Sequence, residues 1–158
     1  MSDIVKELNE RSQKMLAERP QDMDSMRKRM GARDQNASIA IYAYVDIGAT
    51  ADILYYWEKA SLKEDYELST LIKIVSDWML FVADRIPRYY RFHETSALTV
   101  SAMEALKTVK TRAEAKELLK AIQHYYTELK FWIDLDIPWP EIGDAYAKAK
   151  GDPAPRVD

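Results

Sequence analysis

The sequence predicts an all-α protein, an antiparallel four-helix bundle preceded by an N-terminal two-helix arm. Three observations carry that prediction. From Ala49 to Ile137 the chain has no glycine and a single proline, Pro87, and these two residue types are what punctuate a chain into strands, hairpins and loops. Through the same stretch apolar residues recur three and four positions apart, the repeat of a helix with one buried face. The breaks between the apolar runs, at Ala60–Ser61, Asp84–Pro87 and Lys110–Thr111, are so short that successive helices must lie antiparallel.

Residues 1–36 are charge-rich and poor in large apolar side chains, and Pro20 divides them. Ser2 suits the cap of a helix over residues 3–19. A second short helix is predicted over 22–30, ending at Gly31, with Met23, Met26 and Met30 three and four apart. Methionine packs adaptably against irregular partners. The segment therefore reads as an arm that makes few contacts with its own bundle and docks elsewhere.

Residues 37–150 read as the bundle. Its first helix covers about 35–60, with Ala37, Ile41, Tyr44, Gly48, Ala51 and Tyr55 as its inner stripe; Gly48 and Ala51 would admit a close neighbour. The second starts at Ser61, which forms a capping box with Glu64, and runs to Asp84. Leu68, Ile72, Val75, Met79 and Val82 line one face, and Leu71, Ile74, Trp78 and Phe81 widen it, so this helix is expected to be the most enclosed. Pro87, favoured in a first turn, sets the third, whose inner residues are Leu98, Ala102, Ala105, Leu106 and Val109. Thr111 and Glu114 form a second capping box. Behind it Ala115, Leu118, Ile122, Tyr125, Leu129 and Trp132 make the seam of the fourth helix. The run 134–140, DLDIPWP, ends that helix, a short helix covers 141–150, and residues 151–158 form a disordered tail.

Composition narrows the function classes. A chain of 158 residues with 47% apolar side chains suits one domain with a sizeable core. With 23 basic against 26 acidic side chains, net −3, the chain is not a wholly basic nucleic-acid binder, although a local patch is compatible with this balance. Cysteine is absent, which excludes disulfides, thiolate ligands and a cysteine nucleophile. Residues 38–57 are long enough to span a bilayer. Asp46 and Asp52 stand among them, each costing about 2.5–3.5 kcal/mol at a membrane centre, so the segment reads as a buried helix of a soluble protein. The N-terminus lacks the basic-then-apolar run of a signal peptide, and the expected location is the cytoplasm or an assembled particle.

The clearest functional candidate is the run from Met26 to Arg33, where Arg27, Lys28, Arg29 and Arg33 place four cations in seven residues. On a helix they could lie on phosphates while the methionines pack on protein. The alternative is a solvated face paired with Asp22, Asp24 and Asp34. A second candidate is Arg88-Tyr-Tyr-Arg-Phe-His93. It resembles the Arg-x4-His motif of HEPN-family ribonucleases, which are all-helical, dimeric and metal-independent. The resemblance covers six residues and implies that Arg88 stabilises a phosphorane while His93 transfers a proton. Tyr89 stands where that family has a small polar residue. Otherwise the segment is a basic helix start.

No cofactor or metal is predicted. Glu-x-x-His pairs of the di-iron kind are missing, His93 and His124 fall on different predicted helices, and Pro138 and Pro140 break any calcium-loop pattern around Asp134, Asp136 and Glu141. Asp46 and Asp52 are either buried acids or face solvent. The doublets Tyr55-Tyr56, Tyr89-Tyr90 and Tyr125-Tyr126 put adjacent rings about 100° apart on a helix, so some tyrosine surface should be exposed or covered by another chain. Tyr55, Tyr89 and Tyr126 are the expected interface tyrosines, beside Met23, Met26 and Met30.

The leading expectation is a non-enzymatic assembly subunit that associates with itself or other chains and contacts DNA or RNA phosphates through its basic arm. At the level of architecture alone this is similar to coat proteins of archaeal filamentous viruses. The alternatives are an HEPN-like ribonuclease using Arg88 and His93, and a helical adaptor of a larger complex.

Overall fold

The structure, a computed structural model, describes residues 2–19, 22, 37–60, 67–85 and 93–137. Among them the chain forms five helices and no strand, as its apolar spacing predicts. They are α1 (Ser2–Ala17), α2 (Ala37–Ala60), α3 (Leu68–Arg85), α4 (His93–Leu106) and α5 (Arg112–Asp136).

One hydrophobic core joins all five, and α5 lies at its centre. α5 packs most extensively on α2, then on α1, and also on α4, while α3 packs mainly on α4. Neighbours on several sides explain why α5 buries side chains over a wide arc, including Leu118, Leu119, Ile122, Tyr125, Tyr126 and Leu129. The expected seam is thus present, except that Trp132 is only half-buried and donates its indole N–H to the Met15 carbonyl at 3.3 Å. The helix starts at Thr111, whose hydroxyl oxygen accepts from the Glu114 N–H at 3.2 Å. The reciprocal half of the capping box is altered: the Thr111 hydroxyl donates to the Glu114 carboxylate, also at 3.2 Å.

Three expectations need correction. First, the N-terminal segment is not an arm over its first half. Val5 and Leu8 of α1 belong to the core, with Ile4 and Met15 packed against it, because positions 4, 5, 8, 12 and 15 form one helical stripe despite the high charge around them. Past the end of α1, Arg19 forks onto Glu128 of α5 with contacts of 3.1 and 2.7 Å, and its guanidinium lies 3.9 Å from the Phe131 ring centre. Second, the inner stripe of α2 is broader than the expected one and shifted: Gly48 and Ala51 are buried and Ile41 and Tyr44 pack against the core as expected, but Ala43, Ile47, Thr50 and Leu54 are buried too, whereas Tyr55 is exposed. A helix that is apolar on nearly every side gives the periodicity little to choose between. Third, α3 is not the most enclosed helix. It buries Leu71, Val75, Ser76, Met79, Val82 and Ala83, but Ile74 and Phe81 face outward, because α4 covers it largely from one side. The proposed cap Ser61–Glu64, the first turn at Pro87 and everything beyond residue 137 lie outside the described residues.

Candidate interaction surface

Few of the predicted site residues fall within the described part of the chain. Met23, Met26, Met30, Arg27, Lys28, Arg29, Arg33, Arg88 and Tyr89 lie outside it. His93 opens α4, with its side chain outside the description. Tyr55 is exposed, its ring set edge-on to Tyr56 at 5.6 Å. Tyr126 is a correction: it is fully buried, and its hydroxyl is 2.6 Å from that of Thr99 on α4. Tyr125 beside it is also buried and meets Thr95 at 2.9 Å. Both rings of this doublet point inward because α5 has packed neighbours on more than one side, whereas both rings of Tyr55-Tyr56 point outward. Burial pushes the hydroxyl pKa of each inner tyrosine upward, opposed by the smaller effect of its threonine hydrogen bond.

Asp46 and Asp52 of α2 are not isolated buried charges. Asp52 is exposed, and Asp46 pairs with Arg85 at 3.1 Å. One turn further on, Trp78 donates its indole N–H to Thr50 at 3.2 Å, and Thr50 donates to the Asp46 carbonyl at 2.7 Å. These contacts pair a rising position on α2 with a falling one on α3, so the helices run antiparallel. Their seam is narrow compared with that between α2 and α5, and it leaves a broad outer face. On it Tyr42 is 62% exposed, Val45 55% and Tyr56 68%. Phe81 on α3 is 52% exposed, tilted against Trp78 at 5.9 Å, with the Arg85 guanidinium 5.3 Å from its ring centre. Large apolar side chains gathered on one outward face, rimmed by Asp46, Arg85 and Lys59, have the make-up of a protein contact surface.

No comparable cluster among the described residues favours chemistry. No group of three or more His, Asp or Glu side chains among them could hold a metal. An open depression of about 560 Å³ between α1 and α5 is lined by Val5, Lys6, Asn9, Glu10, Gln13 and Glu117, mostly long polar side chains. No described helix is long and apolar enough to cross a membrane.

Sequence reasoning missed the inner polar contacts, although a signal existed: Thr95 and Thr99 stand four apart on the same face of α4 as Leu98 and Ala102. It also missed the outer face of α2, whose signal was a helix with more apolar sides than a single core can cover. Comparison of the chain with protein-family models, curated proteins and solved structures finds no match.

Proposed function

We propose that this protein is a non-enzymatic assembly subunit that associates with copies of itself or other chains through the outer face of α2 and α3. The observation that carries the reading is the exposure of Tyr42, Val45, Tyr56, Ile74 and Phe81 on two adjacent helices. Apolar surface of this kind loses its contact with water only when another molecule covers it. In this reading α2 to α5 form an antiparallel four-helix bundle. Support comes from the opposed register of Asp46–Arg85 and Thr50–Trp78, and from the short turn between α4 and α5. α1 buttresses that bundle, and the part of the N-terminal segment left to act as a gripping element is residues 20–36. Arg27, Lys28, Arg29 and Arg33 in that part contact nucleic-acid phosphates.

The test is the mass of the purified particle, measured with and without nuclease. A particle larger than one chain supports assembly, and nuclease-sensitive mass supports bound nucleic acid. Nucleic-acid binding should weaken steeply with salt, since each neutralised phosphate releases counterions, and replacing all four basic residues with alanine should flatten that slope. A monomer at every concentration that binds no nucleic acid would overturn the reading. RNA cleavage lost on Arg88→Ala or His93→Ala would replace it with the ribonuclease alternative.

A further inference from the structure

We infer that α2 is the seat of a two-fold contact in which it packs antiparallel against α2 of a second copy of this chain. The inference rests on the assembly reading above and names the partner and the register.

Tyr42, Val45, Ala49, Asp52, Tyr56 and Lys59 are all exposed. Their spacing alternates three and four, which keeps them in one line along one side of the helix, as in a coiled-coil seam. The line covers positions 42 to 59 of α2, about 26 Å at 1.5 Å per residue. In an antiparallel pair Tyr42 stands opposite Lys59, Val45 opposite Tyr56, and Ala49 opposite Asp52. Each of these pairs occurs twice, since in a two-fold contact residue i meets j and j meets i.

The chemistry of the layers decides the direction. In the outer layers Lys59 sets an ammonium over the Tyr42 ring, a pairing Lys59 already makes within its own helix with Tyr55 at 5.3 Å. Such a contact is attractive even at exposed sites. Val45 opposite Tyr56 is an apolar pair. In the central layer Asp52 meets only the methyl group of Ala49, which leaves its carboxylate room to reach water at the edge of the seam. The parallel arrangement sets Asp52 against Asp52 and Lys59 against Lys59, and like charges then oppose association at two of its six layers. The antiparallel register sends the two Lys59 side chains to opposite ends of the seam and staggers the two Asp52 side chains by three residues, about 4.5 Å along the axis. The central carboxylates add nothing to affinity, and a single helix pair is small beside a standard interface of about 1,600 Å², so the dimer should dissociate on dilution.

The experiment is sedimentation of the full-length chain over a concentration series. It compares the unaltered protein with Ala49→Lys, Ala49→Asp and the double variant Ala49→Asp with Asp52→Lys. Positions 49 and 52 are exposed, and circular dichroism melting checks that each variant keeps the fold. In the antiparallel register the cation of Ala49→Lys faces Asp52 of the second copy and should tighten the dimer severalfold. The carboxylate of Ala49→Asp faces that same Asp52 and should weaken it at least tenfold. The double variant sets opposite charges against each other again and should restore association. Weakening by all three variants would indicate a parallel contact and overturn the inference, because each then opposes like charges. Association unchanged in all three would place the contact elsewhere, so that the inference falls while the assembly reading stands. A chain monomeric at every concentration would also overturn the inference, and if it bound no nucleic acid the assembly reading would fall with it.

Discussion

Each of the two buried tyrosine hydroxyls of α5 meets one threonine of α4, and the burial of the two rings sets how the fold responds to alkali. Tyr126 is enclosed and its ionisation is pushed well above the ordinary range by burial; Tyr125 shifts the same way. In the unfolded chain both tyrosines ionise near pH 10, roughly their ordinary value. Above that pH the unfolded state binds fewer protons than the folded one, so stability falls as pH rises, while below it the contribution is fully present. The slope approaches about 1.4 kcal/mol per pH unit for each protected tyrosine. Tyr126→Phe should cost about 1 kcal/mol near neutrality, where Thr99 loses its partner, yet lose less stability than the parent between about pH 10 and the alkaline limit. Urea denaturation across that window checks this, and equal alkaline slopes for the two proteins would refute it. Ser76 is the opposite case. It is 2% exposed and its hydroxyl has no hydrogen-bond partner among the described residues. Ser76→Ala removes an unsatisfied buried group and improves helix propensity, so it should stabilise the fold by about 1 kcal/mol. A destabilised Ser76→Ala protein in the same assay would contradict this.

For the single helix, α2 shows what can be read in a sequence and what cannot. Its existence and its end at Ala60 were legible because nothing between Ala49 and Ala60 breaks a helix and apolar residues recur at helical spacing, while the expected start at residue 35 lies outside the described residues. Its inward face was not, because Tyr42, Val45, Ile47 and Leu54 are all apolar and lie on different sides, and only the positions of α5 and α3 decide between them. For the same reason Ile74 and Phe81 looked like core on α3, and Tyr126 looked like interface on α5. The candidate surface was therefore legible only as an excess of aromatic residues, not as a set of positions. Gly48 was correctly marked as a place of close approach: it faces α5, the helix that packs most extensively on α2, and the atoms nearest to a Cβ there belong to the Lys130 stem. A Cβ at position 48 would lie 3.2 Å from Lys130 Cδ and Cε, and that side chain is flexible. Glycine within a helix costs about 0.5–1 kcal/mol relative to alanine. Gly48→Ala should therefore raise stability by about 0.5 kcal/mol, read as a higher denaturation midpoint. A loss above about 1 kcal/mol would mean that Lys130 is held too firmly over α2 to move, on the scale of overpacking costs.

Across the whole molecule, the decisive feature is that the N-terminal helix is core. Charge density made residues 1–36 look detachable, but a helix needs only one stripe to dock, and α1 supplies Val5, Leu8 and Ser12 to the buried set. Its far end is then fixed by two contacts with α5: the Trp132 indole donates to the Met15 carbonyl, and Arg19 forks onto Glu128. Glu128 is only 9% exposed, so losing its cation leaves a poorly solvated carboxylate behind. Arg19→Ala should cost about 2 kcal/mol, the range for hydrogen bonds to charged groups, and Arg19→Lys should restore only part of it because an ammonium cannot reproduce the planar fork. Leu8→Ala should cost about 2–5 kcal/mol as a large-to-small core change. Deleting residues 1–19 removes both contributions together with the rest of the α1 surface, and the loss should then be comparable to the total stability of an ordinary domain, about 5–15 kcal/mol. The truncated chain should consequently fail to show a cooperative thermal transition at the parent's melting temperature. A truncated chain that melts cooperatively within a few degrees of the parent would mean that α1 is a detachable arm. Because the deletion leaves Tyr42 to Lys59 untouched, such a survivor could still dimerise, which keeps the test of α1 independent of the test of α2.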